Sequence, residues 1–401
     1  MNTKITALVS LGAILAASGS AIAGSDTNLS LARSYELATT SLEYNALLNE
    51  SNLADLKISM QIQARYQFNA RDDAGTTLAS PDDDITTGFA IRRAKIGIEG
   101  KVTDDIKGKI KFAFDRDGGV ASLEDAYMKW SISEDLTLKV GQFKQGLLRE
   151  ENMSSTRQLA TDRSAVNETF NQDFSQGVEL HFGGERWRGL VGFTDGFKSR
   201  NTAFNSSAEA DYALNGRVEF LFGDAQWSQF KQFTSWRGSN AGGMLGAAIA
   251  YQSAGDTNPS TALTTEMTTG TIDFSYVADG WNFYAAGVWR NLDNGTTDFN
   301  DYGLIAQGGV FVSDNNELFA RWDAVLPDDA NGATGNDFNS VTVGWNHYMI
   351  PESHAAKFTL DLAYYLDSTT DSIVKTSDGH NLLADSEDGQ IAITAQMQIL
   401  F

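Results

Sequence analysis

The sequence predicts an all-β fold, a transmembrane antiparallel β-barrel of about sixteen strands, preceded by a signal peptide and a short helical extension. Three observations carry that expectation. Apolar and polar residues alternate strictly over segments long enough to cross a bilayer, the chain opens on an export signal, and its last alternating segment ends in an aromatic residue. Leu56, Ile58, Met60, Ile62, Ala64, Tyr66 and Phe68 alternate without a break with Lys57, Ser59, Gln61, Gln63, Arg65, Gln67 and Asn69. Successive side chains of a strand point to opposite faces, so one face of this segment is apolar and the other wet. A soluble strand commonly runs about five or six residues, whereas a tilted strand crossing hydrocarbon needs about nine to eleven. This segment is long enough to cross. The chain closes the same way, with Ile391, Ile393, Ala395, Met397, Ile399 and Phe401 on one face.

Residues 1–23 form an address. Lys4 supplies a positive start, Ile5 to Ala17 an apolar stretch, and Ala21-Ile22-Ala23 an A-x-A cleavage site, so the mature chain is expected to begin near Gly24. In residues 24–55 the period changes. Leu31, Tyr35, Ala38 and Leu42 recur at helical spacing with Glu36, Glu43 and Glu50 between them, which predicts a periplasmic extension containing one amphipathic helix.

The barrel is expected over residues 56–401. After the first strand, alternation continues near 86–101, 106–115, 123–133, 135–144, 175–183, 186–195, 212–222, 243–253, 266–277, 280–290, 302–312, 317–326, 338–349 and 356–366, and the last strand makes sixteen. An even number returns both termini to one side, as a single-chain bacterial barrel requires. Connections alternate in length: 103–105, 133–135, 278–280 and 313–316 are short, while 69–85, 146–174, 195–211 and 367–388 are long. Short periplasmic turns and long outer loops are the expected asymmetry. Residues 223–242 break the pattern, being long and Trp-bearing on the short-turn side. Pro81, Pro259, Pro327 and Pro351 all fall in connections. A proline within a strand would delete a ladder bond that lipid cannot replace. Trp130, Trp187, Trp281 and Tyr348 lie near strand ends, where interfacial girdles sit. A soluble sandwich would tolerate shorter strands, and a propeller would show a fixed repeat, which is absent.

Composition excludes several functions. A net charge of −22 argues against a nucleic-acid partner. The absence of Cys removes disulfide frameworks, thiolate metal sites and Cys nucleophiles. The histidines, His181, His347, His354 and His380, form no HExxH pair, and no GxSxG or phosphate-cradling loop is present. No reaction and no cofactor is implied. A lipid-cleaving barrel would need a Ser and a His at the lipid edge, with His347 the available candidate. Asp82-Asp83-Asp84 offers oxygen ligands to a divalent cation, though such a run more commonly marks an acidic loop tip.

Charge reverses locally. Residues 86–163 hold 14 Lys+Arg against 12 Asp+Glu inside this acidic chain. Lys107, Lys109 and Lys111 alternate with Ile106, Gly108, Ile110 and Phe112, so all three enter the lumen if the apolar face meets lipid. Arg93, Lys95, Lys129 and Lys139 oppose apolar neighbours in the same way, with Lys144 toward the constriction. Facing lipid would cost a few kcal/mol per charge at mid-depth. Stacked cations on neighbouring strands attract anions. The long third connection carries Arg149, Arg157 and Arg163 with Glu150, Glu151 and Asp162. Folded inward, these would pair with one another and narrow the lumen.

Residues 88–177 carry a resemblance. Arg92-Arg93-Ala94-Lys95, Leu123-Glu124-Asp125-Ala126-Tyr127, Val140-Gly141-Gln142-Phe143-Lys144, Ser154-Ser155-Thr156-Arg157-Gln158-Leu159, Asp162-Arg163-Ser164, Asn167 and Gln176-Gly177-Val178 resemble the phosphate-selective porin O/P family of outer-membrane channels. The resemblance implies a homotrimeric sixteen-stranded barrel in outer-membrane lipid whose third loop narrows the pore. It also implies passive uptake of small anions, with phosphate or polyphosphate in the best-known members, alongside other small hydrophilic solutes. Here the wall is mostly lysine, a point charge without the bidentate fork of arginine. Two other readings remain: a general, non-selective porin, and a non-conducting barrel that anchors the envelope through residues 24–55.

Overall fold

A computed structural model describes residues 56–72, 84–114, 119–204, 206, 209–254 and 265–401. The expected signal peptide, the 24–55 extension and Asp82-Asp83 lie outside these residues. Sixteen strands close into one antiparallel barrel. The first eight are β1 (Lys57–Ala70), β2 (Ile85–Lys101), β3 (Ile106–Phe114), β4 (Ala121–Ser133), β5 (Leu136–Lys144), β6 (Phe174–Gly183), β7 (Trp187–Thr194) and β8 (Ala213–Gly223). The others are β9 (Gly242–Gln252), β10 (Glu266–Ala278), β11 (Trp281–Asp293), β12 (Asp298–Ser313), β13 (Asn316–Leu326), β14 (Phe338–Tyr348), β15 (Ala356–Tyr365) and β16 (Ile391–Leu400). Each sequence-predicted strand has its counterpart within a few residues. The largest difference is in β11 and β12, which run on past the expected loop end to pair Asp293 with Asp298.

Closure is made by β1 and β16, paired from Gln61↔Leu400 to Ala70↔Ile391. The terminal residue completes the seam: Met60 donates its N–H to the Phe401 carbonyl at 2.6 Å, and Phe401 donates back at 3.1 Å. Closure leaves no edge strand to present a row of unpaired backbone groups to hydrocarbon.

Burial is inverted relative to a soluble protein. Ile62 is 40% exposed on the outer face while its neighbour Gln63 is fully buried inside. Trp130, Trp187 and Trp281 are exposed outward near strand ends, as a girdle requires. Tyr348 departs from that expectation. It shares the inward face of β14 with the buried Asn346, is itself fully buried, and donates to Glu317 Oε2 at 2.5 Å. Nearness to a strand end suggested the girdle, but the two-residue phase decides the face.

Of the register shifts among the described strands, two alter that phase at charged residues. Gln63 pairs with Arg93 and Ala64 with Ile91, leaving Arg92 as an extra residue of β2. Lys111 pairs with Asp125 and Phe112 with Leu123, leaving Glu124 as an extra residue of β4. At each bulge two consecutive charged residues have partners inside the barrel, where simple alternation allows one.

Several connections pack into the interior, residues 366–390 through Val374 and Leu382 among them, and two of these meet at mid-barrel. Residues 145–173, from the end of the barrel opposite the termini, carry helix α1 (Arg149–Asn152) and helix α2 (Ala165–Phe170). Ser164 caps α2 by accepting from the Asn167 N–H at 2.9 Å. Residues 224–241 enter from the end bearing both termini. Met153, Leu159 and Ala160 of the first connection meet Phe233 of the second in an apolar cluster with Tyr284, Ile305 and Phe319 of the wall.

Candidate solute pathway

The third loop, residues 145–173, is held against most of the barrel wall. Its backbone and side chains bond to β6 through Glu179 Oε1, which accepts from Gly146 N at 2.9 Å. On β10, Ser275 Oγ accepts from Arg149 at 3.0 Å. On β13, Asp323 Oδ2 accepts from Ala165 N at 2.8 Å, and Arg321 donates to the Asp162 carbonyl at 2.9 Å. On β15, Asp361 Oδ2 accepts from both Thr161 N and Thr161 Oγ1, and Lys357 donates to the Gln158 carbonyl. On β16, Gln398 reaches the Thr156 carbonyl. Among the described residues, no hydrogen bond or ion pair joins the loop to β3 or β4.

Of the charged residues expected to pair with one another in this loop, Glu151 and Arg163 do so; the others bond to the wall, to Ser164 or to backbone carbonyls. Glu151 takes Lys144 on one side and Arg163 at 3.4 Å on the other, and accepts from Asn167 Nδ2 at 2.9 Å. Burial alone would raise the Glu151 carboxyl, but Arg163 and Lys144 outweigh it and hold it at about 2. Glu150 turns inward onto Ser164, accepting from its N–H at 2.9 Å and its Oγ at 2.6 Å. With hydrogen bonds but no ion pair, burial dominates there and pushes the carboxyl up. Arg149 is buried, its guanidinium held by Ser275 and by the Phe230 carbonyl at 2.9 Å. Arg157 donates to the Lys231 carbonyl at 3.2 Å.

Among the described acids, Asp162 has the most ion-pair partners. Arg65 lies at 2.6 Å, Arg92 at 2.8 Å and Arg93 at 3.6 Å from its carboxylate oxygens. Burial would raise this carboxyl, yet Arg65 and Arg92, joined by Arg93, bring it well below the usual range. Three guanidiniums around one carboxylate leave a local excess of positive charge. The sequence reading included Arg93 and missed the other two. Arg65 was legible, since it sits on the polar face of β1; Arg92 was not, because alternation assigns it to the lipid face and only the bulge at Arg92 allows it to reach inward.

The wall from β2 to β5, which the third loop meets only at β2 and β5, carries the other predicted cations. Lys107 pairs across the ladders with Lys101 and Lys129, and Lys129 with Lys139, so four lysines form one lateral row near the end bearing the termini. Lys139 is 3.3 Å from Glu179, and its ammonium stands 3.8 Å from the Phe143 ring centre. Lys129 lies over the Tyr127 ring at 5.6 Å. Lys107 is exposed, and neither it nor Lys129 has a carboxylate partner among the described residues. Further along the wall the cations are compensated. Lys95 and Lys111 share Glu124, the latter at 3.1 Å, and Lys109 meets Asp125 at 2.9 Å. The row of stacked cations expected on this wall is therefore partly neutralised. Asp125 shares the inward phase of Lys129, while the bulge at Glu124 brings in the second acid, of which strict alternation gave no sign.

His347 lies on the outer face of β14, its Nδ1 at 3.0 Å from Asn316 Oδ1 and its ring beside Trp345. Among the described residues no serine hydroxyl bonds to it, and its place is in the outer girdle.

Residues 61–401 match the family model described as phosphate-selective porin O and P. The chain belongs to that family. No curated protein matches its sequence. Several solved barrels share the fold. An anion-selective porin from Comamonas acidovorans is 11% identical with a TM-score of 0.58, over 86% of this chain and 99% of that one. OmpT of Vibrio cholerae is 14% identical at 0.54, over 86% and 97%. Pseudomonas putida OprB at high pH is 10% identical at 0.57, over 89% and 96%. At these identities each likeness is one of fold.

Proposed function

We propose that this porin-family chain conducts small hydrophilic solutes passively across a bacterial outer membrane, favours anions, and admits phosphate among them. The observation that carries this reading is the lateral lysine row Lys101, Lys107, Lys129 and Lys139, whose two middle strands, β3 and β4, have no bond to the third loop among the described residues. Solutes pass between the loop and that wall. Their anionic groups exchange hydration for ammonium groups held in a low-dielectric setting. The excess positive charge of Arg65, Arg92 and Arg93 over Asp162 adds to the same field. The chemistry is binding and release, with no bond made or broken. A signal peptide cleaved after Ala23 brings the chain to the membrane. A homotrimer is the assembly proposed; a folded OmpT of the same fold is described in trimer form.

The test is the reversal potential of the purified protein in a planar bilayer under a KCl gradient. Anion preference is expected, falling when Lys107, Lys109 and Lys111 become Gln, with added phosphate reducing chloride current in the unsubstituted protein. Lys109 and Lys111 are paired, so their loss also unmasks Asp125 and Glu124 and drives selectivity toward cations. Cation preference in the unsubstituted protein would sink the anion reading and leave the porin. Absence of conductance would favour an envelope-anchoring barrel.

A further inference from the structure

We infer that residues 224–241, the connection between β8 and β9, are an internal strut that positions the third loop and thereby sets the width of the pathway. The inference rests on the conducting-pore reading for its effect on current, but its structural half stands by itself. In a porin the turns at this end are short. This one is long, and the structure shows where its length goes. Phe233 is 3% exposed and packs at a tilt against Tyr284 of β11 with ring centres 4.8 Å apart. Tyr284 lies three residues in from Trp281, the first residue of β11, so the loop tip penetrates roughly 10 Å into the barrel.

At that depth the two connections bind each other directly. Phe233 donates its N–H to the Arg157 carbonyl at 3.2 Å, while Arg157 donates to the Lys231 carbonyl and Arg149 to the Phe230 carbonyl. Two arginines of the third loop thus bond backbone oxygens of the strut, Arg149 buried and Arg157 half-buried. The strut is in turn pinned to the wall. Thr234 Oγ1 meets the Tyr348 hydroxyl at 2.9 Å, His354 Nε2 meets Gln232 Oε1 at 3.2 Å, and Trp236 packs edge-on against Tyr348 at 4.8 Å. Apolar packing around Phe233 fills space that, in a water-filled lumen, nothing else would keep dry. The third loop therefore leans on a support entering from the opposite end, and its distance from the β3–β4 wall is fixed by that support.

The test uses the full-length protein in detergent and in bilayers. Without any substitution, the Phe233 amide should exchange with deuterium as slowly as the protected amides of the third loop, as one cooperative unit. Rapid exchange at Phe233, typical of a loop tip, would overturn the inference. In a folded Phe233→Ala variant, the third-loop amides should lose protection, and single-channel current should rise or become noisy. Ser228→Ala, on the exposed part of the same connection, should change neither. Unchanged third-loop exchange and current in Phe233→Ala would overturn the strut. If the exchange changes but neither protein conducts, the strut stands and the porin reading falls.

Discussion

Asp162 shows how one residue can set both stability and selectivity. Three guanidiniums converge on a carboxylate in a mostly dry setting, and removing one partner of a buried ion pair costs about 3–5 kcal/mol. Asp162→Asn is therefore expected to lower unfolding stability by roughly that amount. It should also move the reversal potential toward stronger anion preference, because Arg65, Arg92 and Arg93 lose their counter-charge. A destabilised variant with unchanged selectivity would mean the triad does not face the solute path. The Glu151 clamp predicts a pH dependence. Its carboxyl is held at about 2 against an ordinary 4.5, so the folded state binds the proton less readily than the unfolded chain. The stabilisation is complete above the ordinary value and is lost as pH falls toward about 2. Melts followed by tryptophan fluorescence should lose none of this contribution between neutral pH and about 5, and decline below it. A loss already under way near neutral pH, absent in Glu151→Gln, would contradict the assignment. Glu124 offers the opposite control on selectivity, since Glu124→Gln frees Lys95 and Lys111 and should strengthen anion preference in the same reversal-potential measurement.

Among the elements, the third loop depends on close approach. Helix α2 lies over Gly303 of β12, where an added Cβ would come within 2.7 Å of the Val166 side chain and 2.8 Å of the Phe170 ring. Both side chains are buried, so they have little room to yield. Gly303→Val should displace α2 and cost about 1–3 kcal/mol by overpacking. Increased hydrogen exchange in residues 165–170 with the strand amides unchanged is the expected readout; uniform exchange in both would place the damage in the barrel. The strands themselves were legible because their two-residue period is long and uninterrupted, and prolines and turn residues punctuate it. The bulges at Arg92 and Glu124 were not. A bulge inserts one residue without changing composition, and the alternation on either side stays intact, so only the cross-strand register exposes the shift.

The whole molecule is a closed ladder, and closure has a measurable consequence. All sixteen strands pair in sequence order with β1 returning to β16, so opening the barrel requires breaking a complete seam rather than fraying an edge. Unheated protein in SDS should migrate as a compact species that shifts to the mobility of the unfolded chain on boiling; a single mobility under both conditions would contradict a stable closed barrel. The terminal Phe401 belongs to that seam, its backbone bonded to Met60 in both directions. Removing Phe401 should lower the temperature of the mobility shift.

Local periodicity determined the barrel, its strand number, the outward face of each strand and the long third connection, because these follow from side-chain phase and from what lipid can solvate. The charged character of the β2–β5 wall was equally local, being written in Lys107, Lys109 and Lys111. Tertiary structure alone decided which of those cations keep a free charge. Pairing depends on strands distant in sequence and on a one-residue bulge, and a Coulomb interaction depends on separation in space. It also decided where the long 224–241 connection goes. Its phenylalanines and tryptophans could have covered a rim or met a membrane surface. Trp227 donates to the Glu185 carbonyl of the β6–β7 turn, whereas Phe233 enters the lumen because Tyr284, Ile305 and Phe319, scattered over three strands, present an apolar patch on an otherwise polar inner face. Burying Phe233 there removes apolar surface from water that neither patch nor loop could shed separately.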